Sequence, residues 1–355
     1  MDLDDLELML EIDSQNMLGQ IQNLPDQLSS AWERGLSLPV PNLKGFNHVL
    51  IAGMGGSAIG GELLKAYSSN KSPIPVYVHR DYGLPGFAKG SKSLVIASSH
   101  SGNTEETLDA VREAMARNCQ VFAITTGGKL NALARESGIP IWLFEHNHQP
   151  RSAVGYSFGL LLALFYRLGL VSDQAELVAE AAREMKNLAA EISPSVPSMK
   201  NAAKRYAGQM VGRWVTVFGS GILAPVAARW KGQINENANA PANYEILPEA
   251  DHNTLAGIQN PAIEILGNKT YSIFLACPSD HPRNRLRQEI TRQTFMLEGL
   301  STDLYMSRGK SNLAQMWTAI LFGDYASYYL AAAYKTDPTL IEPLLNLKET
   351  LTNIK

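Results

Sequence analysis

Short apolar segments that end in a turn and run into a helix recur along this chain. That alternation constrains the fold more than any other feature. HVLIAGM (48–54) reads as a buried strand, followed by a helix through SAIGGELLKAYS (57–68). PVYVHR (75–80), SLVIASSH (93–100), QVFAITT (120–126) and IWLFE (141–145) read as further strands, with a helix over 104–118. Strands buried on both faces are continuous apolar runs, and strands separated by helices pair in parallel beneath them. The first forty residues read as helical, with a stripe of Leu3, Leu6, Leu8, Met9 and Ile12 and an interruption at Pro25. A helical block over 152–211 is broken by Ser-Pro-Ser-Val-Pro at 193–197, where prolines remove amide donors.

The pattern then restarts. WVTVFGS (214–220) reads as a strand and 223–240 as a helix. TYSIFLACP (270–278) and STDLYMS (301–307) are further strands, with helices over 284–298 and 312–334. Residues 48–65 and 214–231 align without gaps: Gly53 with Gly219, Gly55 with Gly221, Ala58 with Ala224, Lys65 with Lys231. The chain is 355 residues long, which fits two domains. The expected organisation is an N-terminal helical segment (1–40), a first domain (41–192), and a second domain ending in a C-terminal helix (193–355). Each domain is expected to be a doubly wound α/β unit, its parallel sheet flanked by helices.

Both glycine turns fit G-x-G-x-x-A, where glycines let backbone approach an anion at a helix N-terminus. A nicotinamide cofactor also needs an acidic residue at the end of the next strand, and Asp81 comes late and behind Arg80. The segment SSHSGNT (98–104) ends an apolar strand and starts a helix. Ser99, Ser101 and Thr104 place three hydroxyls around a glycine there, a setting for one monoester phosphate. Lacking a lysine, it is not a nucleotide loop. The plainer reading is helix capping by Asn103 or Thr104, with Glu106 completing a capping box.

GMGGSAIGGELL followed by SSHSGNTEET resembles the sugar isomerase (SIS) domain, a sugar-phosphate-binding α/β module. PRSAVGYSFG (150–159), NENANAPAN (235–243), EADHNTLAG (249–257) and LFGDYASYYLA (321–331) narrow the resemblance to the bifunctional phosphoglucose/phosphomannose isomerases. The resemblance covers residues 45–350, with little in the first forty. It implies phosphate binding by Gly56, Ser57, Ser99, Ser101 and Thr104. It also implies an arginine near the reacting carbons at Arg151, a catalytic base at Glu236, and a ring-opening histidine at His252 that reaches the partner subunit's site in a homodimer. The C-terminal lysine matches Lys348, although Leu340-Ile341-Glu342 departs from the family's proline-rich pattern.

The implied reaction interconverts glucose 6-phosphate and mannose 6-phosphate with fructose 6-phosphate through a cis-enediol. One carboxylate near C1 and C2 moves the proton, and a fixed guanidinium stabilises the oxyanion. A histidine titrates in the range needed to open the sugar ring, with the lysine assisting. Neither cofactor nor metal is called for. His146 and His148 are two apart and face opposite ways if the strand continues. His100 lies inside the phosphate loop. The open alternatives are another SIS-type isomerase and a non-catalytic sugar-phosphate sensor, which would be expected to lack the base.

Composition sets outer limits. With 31 basic and 34 acidic residues the net charge is -3, which argues against a nucleic-acid surface. A hydrophobic share of 45% excludes global disorder. GLLLALFY (159–166) is too short to span a membrane and reads as a buried helix. Cys119 and Cys277 lie far apart and form neither a disulfide framework nor a zinc motif, and the N-terminus is acidic. A reduced, cytoplasmic protein is expected.

Overall fold

A computed structural model describes residues 2–261 and 263–353. Helices α1 (Leu6–Ile12), α2 (Met17–Gln22) and α3 (Leu24–Ser37) precede β1 (His48–Ala52), α4 (Gly55–Ser68), β2 (Val76–His79) and β3 (Ser93–Ser99). Then come α5 (Glu105–Ala116), β4 (Gln120–Thr125), α6 (Gly128–Glu136), β5 (Ile141–Leu143), α7 (Val154–Arg167), α8 (Ala175–Ile192) and α9 (Ala202–Met210). The second run is β6 (Trp214–Ser220), α10 (Ala224–Asn237), β7 (Ala242–Leu247), α11 (Ile263–Leu266), β8 (Thr270–Ala276), α12 (Pro282–Leu297) and β9 (Thr302–Met306), closed by α13 (Asn312–Tyr334) and α14 (Glu342–Asn353). The chain divides into two compact units. One is Asn23–Arg183 with Ser311–Ala314; the other is Met1–Gln22, Glu184–Lys310 and Gln315–Lys355.

Each unit is built on an all-parallel sheet. The first has the order β2-β1-β3-β4-β5, the second β7-β6-β8-β9. Counted from its own first strand, each therefore begins 2-1-3-4. In such sheets the order reverses between the first and third strands, and the crevice at their carboxyl ends is where ligands bind. β1 and β3 pair over Val49↔Leu94 to Ala52↔Ala97, with both strands buried. β6 and β8 pair over Trp214↔Thr270 to Phe218↔Phe274.

In the first unit α7 is buried from Val154 to Phe165 except at Tyr156, as its apolar run predicts. α3 crosses it closely: a Cβ on Gly159 would lie 2.6 Å from Ala31 Cβ, so the crossing needs a residue with no side chain. In the second unit Phe218 stacks on Phe274 at 4.5 Å, and Phe295 meets both edge-on, joining β6, β8 and α12.

Three sequence expectations differ from the structure. The interruption expected at Pro25 falls two residues earlier, at Asn23 between α2 and α3, and Pro25 itself stands in the first turn of α3, where a missing N–H costs nothing. The helical block opens at 168–174 as well as after Ile192. The strand β7 is absent from the sequence reading. It is the edge strand of its sheet, with Asn243, Tyr244 and Ile246 exposed, so it lacks the apolar run that marks its neighbours.

Candidate active site

The two glycine turns share one backbone conformation. Gly55 has φ +49 and Gly221 φ +51, each after an extended residue, Met54 or Ser220. Their surroundings differ. A Cβ built on Gly55 meets nothing within 4 Å, whereas one on Gly221 would lie 2.8 Å from Asp280 Oδ1. Asp280 sits in the loop after β8, the position that SSHSGNT occupies after β3. Its carboxylate accepts from the Ser220 hydroxyl and, at 2.7 Å, from the His281 amide. The second turn is thus filled by the chain's own anion, and the first is open.

Around the open turn the hydroxyls are held by local bonds. Ser57 Oγ accepts the His100 amide at 3.1 Å, tying the α4 turn to the loop after β3. Ser99 Oγ accepts the Gly102 amide at 3.1 Å and lies 3.0 Å from Thr104 Oγ1, while Ser101 Oγ accepts the Asn103 amide at 3.2 Å. The capping reading of this segment does not hold. Thr104 stands at the N-cap of α5 without a side-chain cap bond, and Asn103 Oδ1 instead accepts the Lys129 amide, 3.0 Å away in α6. α4 likewise has no side-chain cap. Two helix N-termini without side-chain caps at the switch point, beside three hydroxyls, make a place for an anion.

Arg151 lies in a short 3-10 turn (Pro150–Ala153) and is 4% exposed. The turn is pressed against α4: a Cβ on Gly56 would lie 2.8 Å from Pro150 O and 3.3 Å from Arg151 Cα. Gly56, Ser57, Ser99, Ser101, Thr104 and Arg151 are therefore gathered in one unit, and a cleft beside them is lined by Ser57, Ser98, His100, Phe144 and Pro150, among others.

Glu236 and His252 belong to the other unit. Glu236 is half-buried in the last turn of α10. That helix is fastened to α13 by the buried Arg229–Asp324 pair at 2.6 Å, by Trp230 Nε1 donating to Ala319 O at 2.8 Å, and by Asn237 Nδ2 donating to Ser327 Oγ at 3.0 Å. Asp324 and Ser327 lie in the LFGDYASYYLA segment, whose chemistry is thus structural support for the helix bearing Glu236. His252 is exposed at the end of the Glu249–His252 turn. Its neighbour Asp251 fixes that turn on α12 through Arg287 (3.0 Å) and Thr291 (2.7 Å). Lys348 falls in α14, and its side chain lies outside the described residues.

His146 and His148 do not face opposite ways, because β5 ends at Leu143 and the chain turns; their rings are 5.6 Å apart. His146 Nδ1 lies 2.9 Å from His100 Nε2, a contact that sequence spacing does not signal. Burial pushes His100 below its ordinary value. Burial first, then the nearby His100 and His148, pushes His146 down to about 4. Among the described residues no group of three or more His, Cys, Asp or Glu side chains is arranged to hold a metal ion. Nor, among them, is any helix long and apolar enough to cross a membrane.

Two doubly wound modules, one with an open hydroxyl-lined switch point, define a sugar-phosphate-binding protein of the SIS type. In accord with this, residues 43–169 match the SIS domain family, and residues 199–351 match the family described as bacterial phospho-glucose isomerase C-terminal SIS domain. The chain is 42% identical to a bifunctional phosphoglucose/phosphomannose isomerase of Caldicellulosiruptor bescii, over 96% of this chain and 100% of that one. It is 33% identical to one of Aquifex aeolicus, over 87% and 92%. Among solved structures it is similar in fold to a hypothetical protein of Thermus thermophilus, with a TM-score of 0.71 at 17% identity, over 98% of this chain and 92% of that one. The chain belongs to the bifunctional phosphoglucose/phosphomannose isomerase family.

Proposed function

We infer that the protein is an aldose–ketose isomerase that interconverts glucose 6-phosphate and mannose 6-phosphate with fructose 6-phosphate through a cis-enediol. The observation that carries the phosphate site is the contrast between the two glycine turns: the first is open and ringed by hydroxyls, the second is filled by Asp280. In this reading Gly56, Ser57, Ser99, Ser101 and Thr104 hold the phosphate. The phosphate changes little during the reaction, so its binding energy serves to position C1 and C2. Arg151 stabilises the enediolate oxygen. Glu236 carries the proton between C1 and C2. His252, with Lys348, moves protons between the ring oxygen and O1 as the sugar opens. The chemistry calls for no metal or redox group.

The active form we propose is a homodimer in which His252 completes the partner's site. Support comes from His252's exposure and from α12, fixed to the His252 turn through Asp251. α12 presents Leu286, Ile290, Met296 and Leu297 to solvent, an apolar stripe suited to burial against a second copy. Both cysteines are free thiols, in keeping with a cytoplasmic place in glycolysis or gluconeogenesis.

The test is a coupled assay of purified protein with glucose, mannose and fructose 6-phosphates, beside Glu236→Gln. The substitution should lower turnover by a factor on the order of 10²–10⁴ and abolish exchange of the C2 proton with deuterated solvent. Near-normal turnover in the variant would transfer the proton to another carboxylate, such as Glu245 or Glu249.

A further inference from the structure

The phosphate loop contains one side chain that the reading above leaves without a role. His100 anchors the loop through its backbone: its amide donates to Ser57 Oγ at 3.1 Å, and its carbonyl accepts the Thr126 amide at 3.1 Å and hydroxyl at 2.7 Å. His100 also lines a small cavity with Ser57, Phe144 and Pro150. His100 Nε2 lies 2.9 Å from His146 Nδ1, with the two rings nearly perpendicular at 84°. His146 is enclosed by the rings of Tyr156 at 5.8 Å and His148 at 5.6 Å. Its Nε2 is buried and meets no hydrogen-bond partner.

The proton arrangement follows from these contacts. Burial keeps both imidazoles neutral at neutral pH, so each carries one N–H and one acceptor nitrogen. If His100 Nε2–H donated to His146, the proton of His146 would sit on Nε2, a buried donor with no acceptor. If His146 Nδ1–H donates to His100, Nε2 of His146 is left a bare lone pair, and an orphaned acceptor is tolerated better than an orphaned donor. The second arrangement places the proton of His100 on Nδ1, the polar atom that His146 does not use.

We propose that His100 is a further substrate-contact residue, its Nδ1–H donating to a phosphate monoester bound at the loop, and that His146 is the positioning residue that fixes its tautomer. The proposal rests on the reading of 98–104 as a phosphate loop. It adds a directional ring donor to the loop's hydroxyls, whose oxygens already accept local amides, and the recognition is of a phosphate oxygen at the loop.

The test is made on the full-length protein with ¹⁵N-labelled histidine. Two-dimensional ¹⁵N–¹H spectra should show His100 protonated on Nδ1, and inorganic phosphate or fructose 6-phosphate should shift that nitrogen. His146→Phe keeps a ring but removes the donor. It should raise KM about 10-fold, the worth of one hydrogen bond to a charged group, and leave kcat within a factor of about 3. His146→Asn places an amide donor near Nδ1 and should restore most of the loss. A His100 that is protonated on Nε2, or insensitive to phosphate, overturns the proposal even if the Phe variant does not fold. The double variant Ser101→Ala with Thr104→Ala separates the two readings. If it raises KM and the histidine variants do not, the histidine pair is excluded and the phosphate loop stands. If neither set changes KM, the phosphate loop itself is misassigned.

Discussion

Gly56→Ala is the smallest change that tests whether the phosphate turn and Arg151 act as one unit. The added methyl would lie 2.8 Å from Pro150 O, 3.1 Å from Pro150 C and 3.3 Å from Arg151 Cα. Carbon atoms rest about 3.5–4.0 Å apart, so the Pro150–Arg151 backbone must retreat by on the order of 0.5 Å. All three neighbours are backbone atoms and cannot swing aside as a flexible side chain would. Overpacking of this kind costs about 2 kcal/mol. For a unit of this size that is a fall in Tm of about 4–8 °C. The functional effect should be larger than the stability effect implies. A misplacement of about 1 Å at a reacting centre can cost 10²-fold, so a shift of half that should lower kcat roughly 10-fold. The assay is steady-state isomerisation with a thermal melt on the same sample. Gly86→Ala is the control, because that exposed glycine has open space at Cβ and no positive φ. A lowered Tm with unchanged kcat would show that the position of Arg151 does not matter to the reaction. No change in either would show that the close approach is absent.

Three further outcomes are expected. Ser101→Ala combined with Thr104→Ala should raise KM for sugar phosphates by about 100-fold or more with kcat nearly constant, since phosphate contacts bind ground and transition states alike; an unchanged KM removes this loop from the site. Calorimetric titration with inorganic phosphate should give one site per chain, because Asp280 fills the second turn, and two sites per chain would refute that reading. The protein should lose stability as pH falls from 6.5 towards 4. Across that window the unfolded chain protonates His146, whereas the folded chain, with this histidine lowered to about 4, does not. His146→Asn should flatten the dependence of the urea midpoint on pH between about 7 and 5, and equal slopes would mean that other groups govern it.

Much of the architecture was legible because buried parallel strands declare themselves. β1, β3, β4, β6 and β8 are apolar runs, and each falls where its run predicts. β7 was not legible. An edge strand with one open side needs no continuous apolar run, and ANYEIL has none. The site divides in the same way. Ser99, Ser101 and Thr104 stood out as hydroxyls around a glycine, because the proposed phosphate loop is contiguous in sequence. His146 did not stand out, since its contact with His100 spans 46 residues and depends on the chain turning after Leu143. The Arg229–Asp324 pair joins residues 95 positions apart and was equally hidden.

The sequence by itself determined that this chain folds as two strand–turn–helix units with matching glycine turns. That information is local, written in apolar periodicity and in residues that tolerate positive φ. It also set the hydroxyls of 98–104 beside the first turn, but it could not say what stands at the second, for both turns fit one motif and both adopt one backbone conformation. Tertiary structure decided what stands at each turn, by bringing residues of the loop after the third strand of each sheet to the turn after the first. In one unit that loop brings hydroxyls and helix amides that lack side-chain caps. In the other it brings Asp280, and a second negative charge cannot share the space its carboxylate holds.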